Sequence, residues 1–582
     1  MKHPFSHVTG TLEHARHRWR QPPVCDIAAT LLVLGIILIL GTGARQMIAP
    51  FTLGHEPRIS LSPLALPLDT LRTITRMLVA MAASLLFTFT YATLAAKSRR
   101  AEMVLIPLLD VMQSVPVLGY LSFTVLFFVA LFPGKVLGPE LAAIFAIFTA
   151  QAWNMAFSFY QALRTVPADL DEASRSLRAS AWQRFWHLEV PFALPGLIWN
   201  MMMSMSGGWF FVVASETIAV GNTRIALPGV GSYVARAVAE RNLAAVGWAI
   251  LAMTLAIVLY DQLLFRPLVA WADRFRFEQS AAQTAPKSWV LELLRSSAAL
   301  RYVTAPIDQL LERSARVPLA LPAHLGRAWR WRLPRRLSDV LWGALLVLLS
   351  GYVVFHLLRG AEATLSVNDW ISVARNGALT LTRVIVLIGL ASVIWVPIGV
   401  AVGLRPRLTQ LVQPIAQFLA AFPANLLFPV AVYLIVHFGL APRIWLMPLM
   451  ILGTQWYILF NVIAGASAFP GDLREVAATF RVRPRVWWRQ VMLPGIFPYY
   501  VTGAITASGG CWNASIVSEM VNWGPTTLNA SGLGAYIAAR TAAGDFPRIA
   551  LGIAMMSALV IAMNRLLWRP LYRFAERRSR LD

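Results

Sequence analysis

Two segments decide the reading of this chain: DEASRSLRASAWQRFWHLEVPFALPG at 171–196 and REVAATFRVRPRVWWRQVMLPGIFPY at 474–499. Both are polar stretches in an apolar chain, and they are copies of each other. A shift of 303 residues lays Pro167 on Pro470, Asp169 on Asp472, Glu172 on Glu475, Arg178 on Arg481, Pro191 on Pro494 and Pro195 on Pro498. The same shift carries Gly207, Trp209, Ser215, Glu216, Gly221, Gly229, Gly231 and Tyr233 onto Gly510, Trp512, Ser518, Glu519, Gly524, Gly532, Gly534 and Tyr536. Upstream the shift becomes 307, and Thr75-Arg76, Pro107 and Pro116 meet Thr382-Arg383, Pro414 and Pro423. The chain is an internal duplication.

Within each copy the spacing of Asp169 with Glu172, and of Asp472 with Glu475, is that of a capping box, which predicts a short helix starting there. A second short helix is expected near Ser180 and near Arg483, with Pro484 suited to a first turn. Pro191 and Pro195 then open the next apolar helix. The expected unit is a helical hairpin carrying Trp182, Phe185 and Trp186, or Trp487 and Trp488, among arginines. Exposed aromatics beside arginine are the composition of a protein-binding hot spot.

The surroundings of these hairpins are lipid-like. Of 582 residues, 57% are hydrophobic and 14% charged, with mean hydropathy +0.60. Disordered, disulfide-scaffold and coiled-coil classes carry far more charge or cysteine than this. The two cysteines, Cys25 and Cys511, make neither a disulfide framework nor a metal site. Apolar runs long enough to span a bilayer fall at 27–48, 70–96, 102–132, 141–163, 192–220 and 242–265, then at 337–358, 376–404, 409–438, 443–466, 495–523 and 547–567. The expected class is an all-α membrane protein of about twelve transmembrane helices. The expected division is a first half at 1–265, a linker at 266–336 and a second half at 337–582. An even number of spans per half makes the repeats parallel, related by a pseudo-twofold axis along the membrane normal. The first run follows a basic stretch from Lys2 to Arg20 without a cleavage pattern and reads as an anchor.

The net charge is +23. With both termini on the cytoplasmic side, 37 of the 51 Lys and Arg residues fall in cytoplasmic segments, both hairpins and the linker included. Topology and anionic lipid account for the charge, so no nucleic-acid partner is expected.

Here the chain resembles a known family. Glu-Ala-Ala, a few residues, and a hydrophobic–x–hydrophobic-Pro ending are the cytoplasmic signature of membrane subunits of binding-protein-dependent ABC importers. The resemblance covers about 70–265 and 376–567. The TITR at 73–76, the TLTR at 380–383 and the Ser-Glu followed by Gly-x-Gly in each half are similar to the nitrate/sulfonate/taurine type. The resemblance implies two fused type I permease halves around one translocation path, in a bacterial cytoplasmic (inner) membrane. It implies an ATPase-coupling segment of Asp169, Glu172, Ala173, Arg178 and Trp182 in one half, and of Asp472, Glu475, Ala477, Arg481 and Trp487 in the other. Two ABC ATPase subunits and an extracytoplasmic solute-binding protein are the implied partners. ATP and Mg would sit on the ATPases, this chain holding no cofactor and being no enzyme itself. Small anions such as nitrate, sulfonates, taurine or bicarbonate are the implied solutes. Two departures stand out. Arg178 and Arg481 occupy a position that is usually glycine, which suggests a different turn or a direct partner contact. Val476 replaces the usual alanine.

Ionisable residues at membrane depth are costly and therefore candidates for function. Arg76 and Arg383 are expected to pair with Glu216 and Glu519, within or across the halves, as structural glue, as an outer gate, or as an anion contact that frees the arginines on opening. Asp110, Gln113, Asn154, Asn200, Gln417, Gln455 and Asn513 are candidates for the solute path, with interhelical hydrogen bonding as the plainer role. The segments 221–234 and 524–537 are expected to be re-entrant outside loops that meet the binding protein. No G-x-x-x-x-G-K-[ST] phosphate loop is present. A secondary transporter or channel of twelve helices is the alternative, but it offers no reason to repeat the hairpin.

Overall fold

A computed structural model describes residues 59–220, 223–275, 288–317, 365–469 and 471–579, with short helical pieces at 26–31, 33–35, 41, 342–345, 348 and 351–352. The expected first and seventh spans, 27–48 and 337–358, therefore lie largely outside the described residues. Among the described residues, six helices are long and apolar enough to cross a membrane, or eight if two bent pairs each count as one. Twelve spans remain an expectation from the sequence.

In the first half, α1 (Leu66–Lys97) packs along α4 (Leu137–Arg164), and α4 along α7 (Val190–Ser215). The run at 102–132 forms two helices, α2 (Arg99–Ser114) and α3 (Val117–Leu131), instead of the single span expected. Pro116 is the cause. A residue before proline is pushed out of helical geometry, and Val115 sits at φ −79°, ψ 126°. The counterpart at 409–438 breaks in the same way at Phe422-Pro423, between α13 (Pro406–Ala421) and α14 (Phe428–His437), with a 73° bend.

The fifth run of each half is also shorter in helix than expected. α7 stops at Ser215 and its counterpart α17 (Leu493–Ser518) at Ser518. The chain then turns into antiparallel ribbons. β1 (Thr217–Val220) pairs with β2 (Thr223–Ala226), and β3 (Met520–Trp523) with β4 (Thr526–Asn529). Short helices α8 (Val230–Ala239) and α18 (Leu533–Ala543) follow. The sixth spans are α9 (Leu243–Tyr260) and α19 (Phe546–Met563). Each runs on through one π-helical turn, Asp261–Phe265 or Asn564–Trp568. The linker contributes α10 (Trp289–Ser296) and α11 (Ala298–Arg316), each started by a serine cap, Ser288 and Ser297. The second-half span α12 (Val367–Gly403) is capped by a Ser366–Asp369 box and packs on α15 (Gln455–Ser467).

The halves interlock. Val117, Leu121 and Val125 of α3 are buried in a core built mostly by the second half, and Leu426 lies in the core of the first. The broken third span of each half thus packs into the other half. At the far ends of α7 and α17 the ribbons touch the opposite half as well. Gly524 N donates to Val238 O at 3.0 Å, and Arg241 Nη2 to Thr526 Oγ1 at 3.4 Å.

Candidate functional site

The hairpin of the first half is α5 (Ala168–Ser176), then α6 (Ala181–Arg184) continued by a π turn, Phe185–Glu189, into α7. The second has α16 (Gly471–Thr479), a turn of helix at Pro484–Val486 and a π turn at Trp487–Met492. The capping box expected at Asp169 and Glu172 does not form. α5 begins at Ala168 behind Pro167, so Asp169 falls inside the first turn, where its charge suits the helix dipole without a cap hydrogen bond. The box forms one helix later instead. Ser180 Oγ accepts from Gln183 N at 3.2 Å, and Gln183 Oε1 from Ser180 N at 2.9 Å. In the second copy Pro484 holds the first position of its helix. The side chain of Asp472 lies outside the described residues.

The usual-glycine positions resolve one question. Arg178 (φ 53°) and Arg481 (φ 46°) both adopt the left-handed conformation that glycine would take. The turn is not a different one. Ala179 N reaches Ser174 O at 3.2 Å and Val482 N reaches Ala477 O at 3.0 Å, the backbone closure of a Schellman ending. Arginine carries a steric cost of about 1 kcal/mol in such a turn. Glu172, Ala173, Glu475, Arg178 and Arg481 are exposed, while Ala477, Trp182 and Trp487 are half-buried. The largest apolar groups at the tips are Leu177, 82% exposed, and its counterpart Phe480, 77% exposed. Sequence reasoning passed over both. Their signal was position, immediately before the strained arginine. Trp182 is engaged within the chain, its Nε1 donating to Ser314 O of the linker at 2.8 Å.

At the other end of α7 and α17 the structure brings Arg76 to Glu216 and Arg383 to Glu519, each within its own half. Arg76 Nη1 lies 2.6 Å from Glu216 Oε1, and Arg383 Nη1 lies 2.8 Å from Glu519 Oε1. Each carboxylate also gathers the segment after its ribbon. Glu216 accepts from Thr73 Oγ1 at 2.6 Å and Gly231 N at 2.6 Å. Glu519 accepts from Thr380 Oγ1 at 2.8 Å, Gly534 N at 2.8 Å and Ala535 N at 3.2 Å. The Gly-x-Gly pattern follows from this packing. A Cβ at Gly231 would lie 2.2 Å from Val213 O, and one at Gly534 would lie 2.3 Å from Ser515 O. Thr73 and Thr380 were legible as the first residue of TITR and TLTR.

The two centres differ in one group. Arg76 is also held by Glu140, with Nε to Oε2 at 2.6 Å and Nη2 to Oε1 at 2.7 Å, a bidentate pair that the sequence reading missed. The position matching Glu140 under the 303 shift is Arg443, which is exposed. Both arginines also donate to one matching carbonyl, Arg76 to Pro228 O at 3.0 Å and Arg383 to Ser531 O, and in place of the second carboxylate Arg383 Nη2 reaches Ala530 O at 2.6 Å.

Between the halves lies a cavity of about 350 Å³. Of the candidate path residues, Asp110, Gln113, Asn154 and Asn513 line it, together with Tyr457 and the glycines Gly207 and Gly510. Gln113 Nε2 donates to Asn154 Oδ1 at 2.8 Å. Asn513 Oδ1 accepts from Val117 N at 2.8 Å, joining the halves. Asp110 pairs with Arg569 at 2.9 Å. Asn200, Gln417 and Gln455 do not line the cavity. They tie helices together through Ser158, Met202 and Trp395.

The family model described as "Binding-protein-dependent transport system inner membrane component" matches twice, at 88–266 and 394–579. The bicarbonate transport system permease protein CmpB of Synechococcus elongatus is 31% identical over 142 residues, 24% of this chain and 50% of the relative. The taurine transport system permease protein TauC of Escherichia coli is 26% identical over 225 residues, 36% of this chain and 79% of the relative. The nitrate import permease protein NrtB of Leptolyngbya laminosa is 25% identical over 189 residues, 32% and 64%. The chain spans about half the length of the first of these relatives. With two matching copies that together cover more than half of its length, the chain belongs to the family of inner-membrane components of binding-protein-dependent transport systems, as a permease with both repeats in one chain.

Proposed function

We propose that this chain forms the translocation path of an ATP-driven importer for a small anion, of the kind named for its bicarbonate, taurine and nitrate relatives. Two ATPase subunits dock on the hairpins at 168–189 and 471–492, and a solute-binding protein delivers the solute on the opposite side. The observation that carries the reading is the pair of equivalent hairpins with Leu177 and Phe480 exposed at their tips. α7 and α17 each run about 39 Å from a hairpin to a ribbon, and each ribbon touches the other half. Both hairpins then belong at the opposite, cytoplasmic end. Closure of the ATPases draws the hairpins together, and access to the cavity lined by Asn154 and Asn513 alternates as the interlocked halves rock. ATP alters the relative stability of two packings, and the site itself stays in place.

The arginine centres are the outer counterpart of the hairpins. By clamping the segments after the ribbons they make each outer loop move with its own α1 or α12, which is the requirement for a gate. The test is reconstitution in vesicles with co-expressed ATPase and binding protein, with cysteines at 172 and 475. ATP-dependent uptake, with both cysteines labelled only from the cytoplasmic side, is expected. Uptake by the chain alone, driven by an ion gradient, would replace this reading by a secondary transporter.

A further inference from the structure

The two halves provide an internal control for a groove found in the second of them. In the first half, Phe89 of α1 meets Phe159, Phe185 and Trp186 with ring centroids 5.2, 6.2 and 6.2 Å apart. Lys97 closes the rim, 2.9 Å from Glu189 and 5.5 Å from the ring centroid of Phe185. That corner is full. The repeat shifts of 307 and 303 put Val396, Val462, Trp488 and Arg489 in place of the four aromatics, and Leu404 and Met492 in place of the ion pair. Two phenylalanines have become valines and one tryptophan an arginine.

The second half is accordingly open there. A groove of about 580 Å³ runs between α12 and the start of α17, lined by Ser392, Val396, Trp488, Arg489, Phe497 and Tyr500. Apart from Arg489, its walls are apolar except for one polar pair, Ser392 Oγ and Tyr500 Oη, 2.9 Å apart. Trp488 and Arg489 stand at the hairpin end. Arg485, one turn earlier, takes the place of Trp182. Both arginines are exposed, and neither has an ion pair among the described residues. An apolar slot with a tryptophan and unpaired guanidinium groups at one end has the form of a site for one amphiphile with an anionic head. Tryptophan favours the headgroup level, and arginine pairs with phosphate through a planar fork.

We infer that this groove holds an anionic phospholipid, an acyl chain lying along Val396 and Phe497 and the phosphate meeting Arg489 and Arg485. The inference rests on the proposed orientation in one respect: with the hairpins cytoplasmic, the lipid comes from the inner leaflet, which carries the anionic headgroups that basic segments attract. The first half, with its corner filled, holds none. One lipid per chain, bound to one half, makes the two halves inequivalent at the base of their hairpins.

Native mass spectrometry of the purified full chain with added phosphatidylglycerol or phosphatidylcholine tests this. One retained phosphatidylglycerol is expected, favoured over phosphatidylcholine on the order of five-fold per arginine. Val396→Phe with Arg489→Trp restores the two lost aromatics that line the groove and should abolish retention. Arg489→Gln leaves the slot open and should lower the preference while keeping an acyl chain bound. Elution as a folded monomer controls for misfolding. Equal retention of both lipids, retention unchanged in the filled variant, or no retained lipid in the unaltered chain would overturn the site. Labelling of a cysteine at 475 from outside, with phosphatidylglycerol still retained, would refute the proposed orientation and leave the lipid site standing in the other leaflet.

Discussion

Replacing either membrane arginine by alanine should be costly, and the two replacements should differ. Arg383 faces one carboxylate, whereas Arg76 faces two, Glu216 and Glu140. Removing one partner of a buried pair costs about 3–5 kcal/mol, because the other charge is left uncompensated. That is the expectation for Arg383→Ala. Arg76→Ala strands two carboxylates, for a loss on the order of 6–10 kcal/mol if both stay charged. A typical fold has about 5–15 kcal/mol in total, so little folded Arg76→Ala protein should accumulate. The second-site changes separate the cases further. Glu519→Gln removes the stranded charge, its one carbonyl oxygen can still accept from Gly534 N and its NH2 then faces the Thr380 hydroxyl, which can accept, so Arg383→Ala/Glu519→Gln should recover most of its loss. Arg76→Ala/Glu216→Gln should recover only part, and adding Glu140→Gln should recover the rest. The assay is the thermal midpoint of monodisperse protein in size-exclusion chromatography of the detergent-solubilised chain. Equal losses for Arg76→Ala and Arg383→Ala, or no recovery from Glu519→Gln, would refute charge compensation as the role of these centres.

Three further outcomes follow from the same geometry. Leu177→Ser with Phe480→Ser touches only exposed side chains, so the thermal midpoint should hold, with a stability change within about 0.5 kcal/mol. Retention of co-expressed ATPase in pull-downs should fall at least ten-fold, as for a hot spot of about 2 kcal/mol. Arg178→Gly relieves a left-handed arginine and should leave stability unchanged or raised by about 1 kcal/mol. If ATP-dependent uptake falls while the midpoint does not, the guanidinium contacts the partner, and unchanged uptake would leave it a turn residue alone. Gly534→Ala drives a Cβ into the Ser515 carbonyl, which a side-chain shift cannot relieve. It should lower the thermal midpoint clearly, whereas Gly509→Ala, with open space at its Cβ, should lower it little.

Much of this was written along the chain. Period and composition marked the apolar runs, and the 303 and 307 shifts marked the repeat. The proline and charge spacing of 167–196 and 470–499 marked the hairpins, because local propensity and capping act over a few residues and leave a local trace. The Arg76–Glu216 and Arg383–Glu519 contacts were legible for a different reason: charge at membrane depth must find a partner, and the fifth run of each half carries an acid at a matching depth.

Tertiary packing decided the remainder. Glu140 sits in the first turn of α4, and only the approach of α1 makes it the second partner of Arg76. Asn200, Gln417 and Gln455 were indistinguishable in sequence from Asn154 and Asn513, since a helix position has no direction until its neighbours are set. The breaks at Pro116 and Pro423 were visible as prolines. That the broken segments cross into the opposite half is a property of two packed surfaces. Burial and contact are relations between segments distant in the chain, and a linear pattern holds only one side of each.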